Sequence, residues 1–161
     1  MDQNLYGSRG GTICFENAAL AQASMAGAYN TFNVANKVSY TIDGKWFAAA
    51  VSTNQVMSAG HTAISNNQAV VFGVWENNTG IVSTTQGEIV SSQEVEQGKR
   101  SLPLPDLVDN KCLIGLIKVK AGVAATFTPG TTNFNATNIN TTFVNVGTAP
   151  VKPFTDTVTA A

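Results

Sequence analysis

The spacing of apolar residues changes to every second position at about residue 37. From Lys37 onward, "KVSYTIDGKWFAAAV" alternates apolar and polar residues on either side of Asp43-Gly44. An Asp-Gly pair between two alternating runs indicates a β-hairpin, because both residues tolerate the positive φ that its turn requires. The pattern therefore predicts that a β-domain begins here with a hairpin.

Further strand-like runs follow the hairpin at short intervals, and turn clusters rich in Gly, Asn, Pro and Asp separate them. Many short strands without helices between them are typical of a β-sandwich or a small barrel. We therefore predict a mainly β domain of short antiparallel strands over residues 37–147. Its predicted strands after the hairpin are 69–75, 80–90, 112–121, 124–128 and 140–146.

Residues 1–36 precede this domain and are predicted to form an extended arm and one helix. The first fifteen residues are Gly-rich, and their apolar residues have no steady period, which is typical of an arm that needs a partner surface to be ordered. In "ENAALAQASMAGAYNTFNVAN", Met25, Tyr29 and Phe32 are spaced near one helical face. This spacing predicts a helix with a packing stripe over residues 16–36.

Two segments at the other end of the chain are predicted to be irregular. In "SLPLPDL" prolines alternate with leucines, and prolines do not fit a central strand. We predict an extended connector that places Leu102, Leu104 and Leu107 on the core. Residues 148–161 are predicted to form a loosely ordered strand or a second arm.

The charge of the chain argues against several classes of partner. Only 12% of its 161 residues are charged, and the net charge is −1, so the clustered Lys and Arg that bind nucleic-acid phosphates are missing. There is no run of about 18 apolar residues that would span a membrane, and "MDQNLYGSRGG" does not resemble a signal peptide. We therefore expect folding in a cytoplasm, with neither nucleic acid nor membrane as partner.

Cys14 and Cys112 lie far apart in dissimilar surroundings, "GTICFEN" and "NKCLIGL". Two isolated cysteines make a poor disulfide framework and lack the spacing of metal ligands. The prediction is two reduced, partly buried thiols.

His61 is the only histidine, and "QVMSAGHTAIS" resembles the histidine box of chymotrypsin-like proteases. That family needs an aspartate and then a serine after the histidine. No aspartate lies between His61 and the last serine, Ser101, and no serine follows Asp106. Because no nucleophile elbow, Gly-rich phosphate loop or metal-ligand spacing exists either, we predict no catalytic residue, no metal, no cofactor and a structural role for His61.

Trp46 and Trp75 each lie in an apolar strand-like run, where an aromatic residue is usually part of the core or of a subunit contact. The Asn- and Thr-rich turns leave a sugar-binding platform open as an alternative.

The layout from Lys37 to Val146 resembles a family of small tailed-phage virion proteins, the head decoration or head-fibre type. The segments that carry the resemblance are "YTIDGKWFAAA", "VFGVW" with "GIVSTTQGEIV", "LPLPDLVDNKCLIGLIKV" and "TFTPGTTNFNATNI" with "TFVNV". The resemblance covers about two thirds of the chain and is weakest at the amino-terminal arm and helix.

The resemblance implies a structural protein without an active site that binds the outer surface of a phage capsid and stabilises it. Its expected partners are the major capsid protein and further copies of the same chain, and its expected location is the virion, after assembly in the host cytoplasm. The alternative is a tail or fibre module that recognises a host glycan or surface protein. The predicted capsid or subunit contacts, in cis or in trans, are Leu5, Tyr6, Arg9, Ile13 and Phe15.

Overall fold

A computed structural model of the chain describes residues 11–25 and 27–147. Leu5, Tyr6, Arg9 and the tail 148–161 lie outside these residues. The described part is mainly β, as predicted, with one short helix, α1. In chain order the elements are β1 (Ile13–Cys14), β2 (Leu20–Gln22), β3 (Phe32–Val34), β4 (Val38–Ile42), β5 (Lys45–Ala49), β6 (Ser52–Gln55), β7 (Gln68–Asn77), β8 (Val82–Gln86), β9 (Val90–Ser91), α1 (Ser92–Glu96), β10 (Lys111–Ala121) and β11 (Ile139–Asn145).

The strands form three antiparallel sheets, with orders β1-β4-β5, β2-β3-β6 and β11-β10-β7-β8, and β9 pairs with β7. Over residues 11–25 and 27–147 these sheets do not close into a barrel. The predicted hairpin is confirmed: Asp43 and Gly44 have φ of +50° and +76°, and Ile42 pairs with Lys45 across the turn.

The central sheet is built on β7, whose residues are buried everywhere except at its two ends. Both faces of β7 are covered, which explains its nearly continuous apolar sequence. The sheet β1-β4-β5 lies on one side, with β1 and β4 in contact with β10. On the connector side, a Cβ added to Gly73 would lie 3.0 Å from Pro105.

The helix predicted over residues 16–36 is wrong. The segment contains β2 and β3 instead, which pair with each other, and β3 also pairs with β6. Ala19 has a φ of +47°, which a right-handed helix does not allow. The predicted stripe does not exist either, since Phe32 is fully buried while Met25 is 63% exposed. Long-range pairing has overridden a weak local helix pattern.

Two smaller predictions also need correction. Residues 124–128 form no strand and contribute a single bridge between Phe127 and Ile64. The connector leaves two of its three predicted core leucines on the surface, since Leu104 and Leu107 are 67% and 55% exposed, whereas Leu102 is half-buried and Pro105 is buried. Pro105 instead of a leucine packs closely on Gly73 of β7, where an added Cβ would lie 3.0 Å from the proline ring.

One buried core joins the strands before and after residue 37. Cys14, Leu20 and Phe32 belong to the same cluster as Val74 and Ile117 of the central sheet. The inner face of the sheet β1-β4-β5 therefore faces the core, and its other face is left on the outside of the described structure.

Candidate functional site

The side chains on the outer face of the sheet β1-β4-β5 are uncharged and partly apolar, and beside them Glu16 Oε2 accepts a hydrogen bond from Ser39 N–H at 3.0 Å. Side chains that pair directly across antiparallel strands share a face, and the register pairs Ile13 with Thr41 and Thr41 with Trp46. Phe15 extends this row, because its N–H donates to Ser39 O at 2.9 Å. We call this surface the Trp46 face; its residues are Ile13, Phe15, Ser39, Thr41, Trp46 and Ala48.

Trp46 is the centre of this face. Its side chain is 63% exposed, and the Phe15 ring stacks on it with ring centroids 5.2 Å apart and an interplanar angle of 22°. Single exposed apolar side chains are common on protein surfaces, but one whose neighbours extend it into a patch typically marks a contact surface.

The structure thus places two of the predicted contact residues, Ile13 and Phe15, on one surface. Trp46 was not one of the predicted contact residues; the sequence analysis expected it in the core or in a subunit contact. The signal was present in the hairpin register: Trp46 lies opposite the polar Thr41, whereas Phe47 lies opposite the apolar Tyr40. Counting outward from Asp43-Gly44 therefore places Trp46 on the polar face.

Trp75 has a different environment from Trp46. It is 2% exposed, and its indole Nε1 donates to Thr85 Oγ1 at 2.7 Å. A buried indole normally needs such an acceptor. The prediction that an aromatic in this strand belongs to the interior is confirmed for Trp75.

His61 follows a turn in which Gly60 has a φ of +88°. Its Nε2 is 2.8 Å from Thr84 Oγ1, and its ring packs against Phe72 with centroids 5.2 Å apart. Burial lowers the pKa of the imidazole because the charged form is poorly solvated there. Thr84 also accepts from Ser58 N at 2.9 Å, so the histidine is held by a hydroxyl that already joins two parts of the backbone.

The core contains a cluster of polar groups that was not predicted from the sequence. Glu76 on β7 is fully buried, and it pairs across the sheet with Cys112 on β10. Cys14 from β1 and Tyr40 from β4 complete the cluster. We call these four residues the Glu76 cluster.

Hydrogen bonds satisfy only part of the Glu76 cluster. Tyr40 donates its hydroxyl to Asn77 O at 2.7 Å, but within the described residues neither carboxyl oxygen of Glu76 has a hydrogen-bond partner. Burial raises the pKa of Glu76 to about 7 and, with a smaller effect from the nearby carboxyl, raises the pKa of Tyr40 to about 12. Glu76 therefore carries a proton in mildly acidic solution.

The two cysteines are in contact through a hydrogen bond between their side chains. This bond lowers the pKa of Cys14 against the opposing effect of burial, and it raises the pKa of Cys112 together with burial. Both are reduced and buried, as predicted, but their contact was not predicted.

Two further properties concern the described part of the chain as a whole. Residues 11–25 and 27–147 contain no group of three His, Cys, Asp or Glu side chains placed to hold a metal ion. In the same part of the chain, no helix has the length and apolar character needed to cross a membrane.

Comparison with protein-family models, curated proteins and solved structures finds no match for this chain.

Proposed function

We propose that this protein is a structural virion protein of a tailed phage that binds the outer surface of the capsid and stabilises it. The observation that carries the proposal is the Trp46 face, where an indole that is 63% exposed stacks on Phe15. The layout of the sequence from Lys37 to Val146, which resembles head decoration proteins, supports the same function.

The chemistry of the Trp46 face suits a lasting contact with another protein. Aromatic side chains are enriched at the centre of protein interfaces and account for much of their binding energy, whereas charged residues are depleted there. All six residues of the face are uncharged. The partner surface is then an apolar patch on the major capsid protein, with further copies of this chain beside it.

The same indole supports an alternative function, a tail or fibre module that recognises a host glycan. Aromatic rings beside hydroxyl groups are typical of sugar-binding sites, and Ser39 and Thr41 lie on the Trp46 face. Phe15 already stacks on the Trp46 ring, which favours a protein contact over a free platform. A glycan array separates the two functions, since only the alternative predicts binding that Trp46→Ala abolishes.

The test of the first function uses capsids of the encoding phage assembled without this protein. The purified wild-type chain should sediment with these shells and raise the temperature at which they open. Trp46→Ala should weaken binding at least tenfold, while Val123→Ala, a truncation of another side chain that is 69% exposed, should bind as wild type does. Equal binding by both variants would contradict a role of the Trp46 face in shell binding.

Mass spectrometry of purified particles tests the proposed location independently. A decoration protein should be present in hundreds of copies on the head. A few copies on the tail would favour the alternative function, and absence from the particle would exclude both.

A further inference from the structure

The side chains of Cys14 and Cys112 meet in the core although roughly a hundred residues separate them in the sequence. Cys14 lies on β1, where it is paired with Tyr40 of β4, and its side chain is on the inner face of the sheet. Cys112 lies on β10, where it is paired with Glu76 of β7. A hydrogen bond joins the two side chains, and Cys14 Sγ donates to Glu16 O at 3.2 Å.

This contact lies between two different sheets. β1 belongs to the sheet β1-β4-β5, and β10 belongs to the central sheet. Within residues 11–25 and 27–147 no β-ladder pairs these sheets with each other, so packing holds β1 against β10. A covalent bond at this position would therefore join two sheets that no backbone ladder joins directly.

A small, mainly apolar pocket lies beside both cysteines. Its volume is about 210 Å³, and Cys14 and Cys112 line it together with Ile13, Trp75, Leu107 and Leu113. Leu107 is 55% exposed at this position. A molecule as small as a hydroperoxide fits the pocket, whereas a folded protein does not reach the thiols through it.

We infer that Cys14 and Cys112 form an oxidisable dithiol, which a hydroperoxide converts into an intramolecular disulfide between the two sheets. The sulfur of Cys14, as thiolate, attacks one peroxide oxygen and the O–O bond breaks. This step leaves a sulfenic acid on Cys14 and releases an alcohol, or water if the oxidant is hydrogen peroxide. The sulfur of Cys112 then attacks Cys14 Sγ, the S–S bond forms, and the sulfenic oxygen leaves as water.

The electrons and protons of this reaction balance. The two thiols lose two electrons and two protons in total, and the hydroperoxide gains them. Cys14 is written as the attacking sulfur, and the overall reaction is the same when the two cysteines are exchanged, since both line the same pocket. Cys112 is the resolving residue because it already contacts the sulfur that becomes oxidised.

The role of the disulfide rests on the proposed function. β1 carries Ile13 and leads directly to Phe15, so a bond at Cys14 would fix the amino-terminal side of the Trp46 face to the central sheet. Host cytoplasm keeps thiols reduced, and released particles enter an oxidising medium. The bond would then form after assembly and make the attached protein harder to unfold on the shell.

The test uses the full-length chain, reduced and returned to native buffer, with hydrogen peroxide as the oxidant. After treatment the protein is denatured, alkylated with N-ethylmaleimide and weighed intact. We expect a monomer that has lost two hydrogen atoms and takes up no alkylating group, and peptide mapping should link Cys14 to Cys112. Dithiothreitol should reverse the change, and the oxidised protein should melt at a higher temperature than the reduced one.

Cys14→Ser and Cys112→Ser are the matched controls, and Cys→Ala replacements serve if a serine variant does not fold. Neither control should lose two hydrogen atoms or gain thermal stability with peroxide. The inference is overturned if wild-type protein keeps two alkylatable thiols, if Cys14 stops at a sulfinic acid, or if the bond joins two chains. Because these measurements need no capsid, they succeed or fail independently of the proposed function.

Discussion

Phe15 and Trp46 stack on the outer surface of the sheet β1-β4-β5 with ring centroids 5.2 Å apart, although 30 residues separate them in the sequence. The stack joins the start of the described chain to the second strand of the hairpin. A surface pair of this kind adds little to the stability of the isolated domain, because Trp46 remains largely in water.

We therefore expect Trp46→Ala to separate binding from folding. The free energy of unfolding should change by less than about 1 kcal/mol, as is usual for surface substitutions, while binding to the partner falls at least tenfold. Chemical denaturation measures the first quantity and co-sedimentation with shells the second. A loss of stability as large as that of a core substitution would show that Trp46 is structural and would remove the main support for the Trp46 face as a contact surface.

Glu76 should make the stability of this protein depend on pH. Its pKa is raised from 4.5 to about 7 in the fold, so between these values the folded state binds more protons than the unfolded state. The contribution of Glu76 to the free energy of unfolding is therefore greatest below pH 4.5. It decreases by roughly 3 kcal/mol as the pH rises to about 7, and it does not change further above that pH.

Glu76→Gln tests this dependence, because the amide has nearly the same shape and does not ionise. The variant should lose the fall in stability across this range and be more stable than wild type at pH 8. Glu94→Gln, at an exposed position of α1, is the control and should keep the wild-type profile. His61, whose lowered pKa reduces stability as the pH falls, is present in all three proteins and cancels in the comparison. Parallel profiles for wild type and Glu76→Gln would refute the prediction.

His61 and Thr84 should both contribute to stability through their hydrogen bond, and replacement of Thr84 should cost more stability than replacement of His61. His61→Ala removes one hydrogen bond and a ring contact, and about 1 kcal/mol of stability should be lost. Thr84→Val should cost more, because it also leaves the N–H of Ser58 without its acceptor. Thermal denaturation of both variants and of the double variant measures the coupling.

The same His61 variant also tests for catalysis. If the proposed function is right, phage that encode the His61→Ala variant should yield particles of normal composition and infectivity. If infectivity is lost while the variant folds and the particles assemble, the histidine has a chemical role after all.

Leu5, Tyr6 and Arg9 remain predicted contact residues, and a deletion tests them. The sequence predicts an arm at the start of the chain, and removal of residues 1–10 leaves β1 (Ile13–Cys14) in place, so the circular dichroism spectrum and the cooperative unfolding of the domain should be unchanged. Shell binding should weaken. If the shortened chain binds shells as tightly as the full one, these three residues are not contacts and the Trp46 face is sufficient.

The sequence predicts the fold best where structure depends on neighbours along the chain. The hairpin around Asp43-Gly44 follows from a turn that only certain residues allow, and the strands β7 and β10 follow from long β-branched and apolar runs. The helix prediction failed because the fate of Leu20 and Phe32 depends on β6, a polar strand whose sequence "STNQ" gives no periodic signal. Local spacing alone does not reveal such a partner.

The candidate sites divide in the same way. The position of Trp46 could have been predicted from the sequence, since the hairpin register fixes which face of the sheet it occupies. The Glu76 cluster was not, because Glu76 stands beside a turn, "ENNTG", where a carboxylate is normally exposed. Its burial depends on β1 and β4 covering that end of the central sheet, and the meeting of Cys14 with Cys112 requires the same long-range packing.

The pairing of β7 with β10 has a consequence for synthesis on the ribosome. β7 ends at Asn77, but its partner β10 runs from Lys111 to Ala121, so the nascent chain holds a long apolar strand with one side unpaired until the later residues emerge. Strand β1, which emerges first of all the described elements, rests against the same late strand. Pairings over such distances form slowly and expose aggregation-prone edges meanwhile, so a chain that stops before Ala121 has no finished surface to present. Release of the chain before Lys111 would therefore leave β7 without its neighbouring strand β10 in the central sheet.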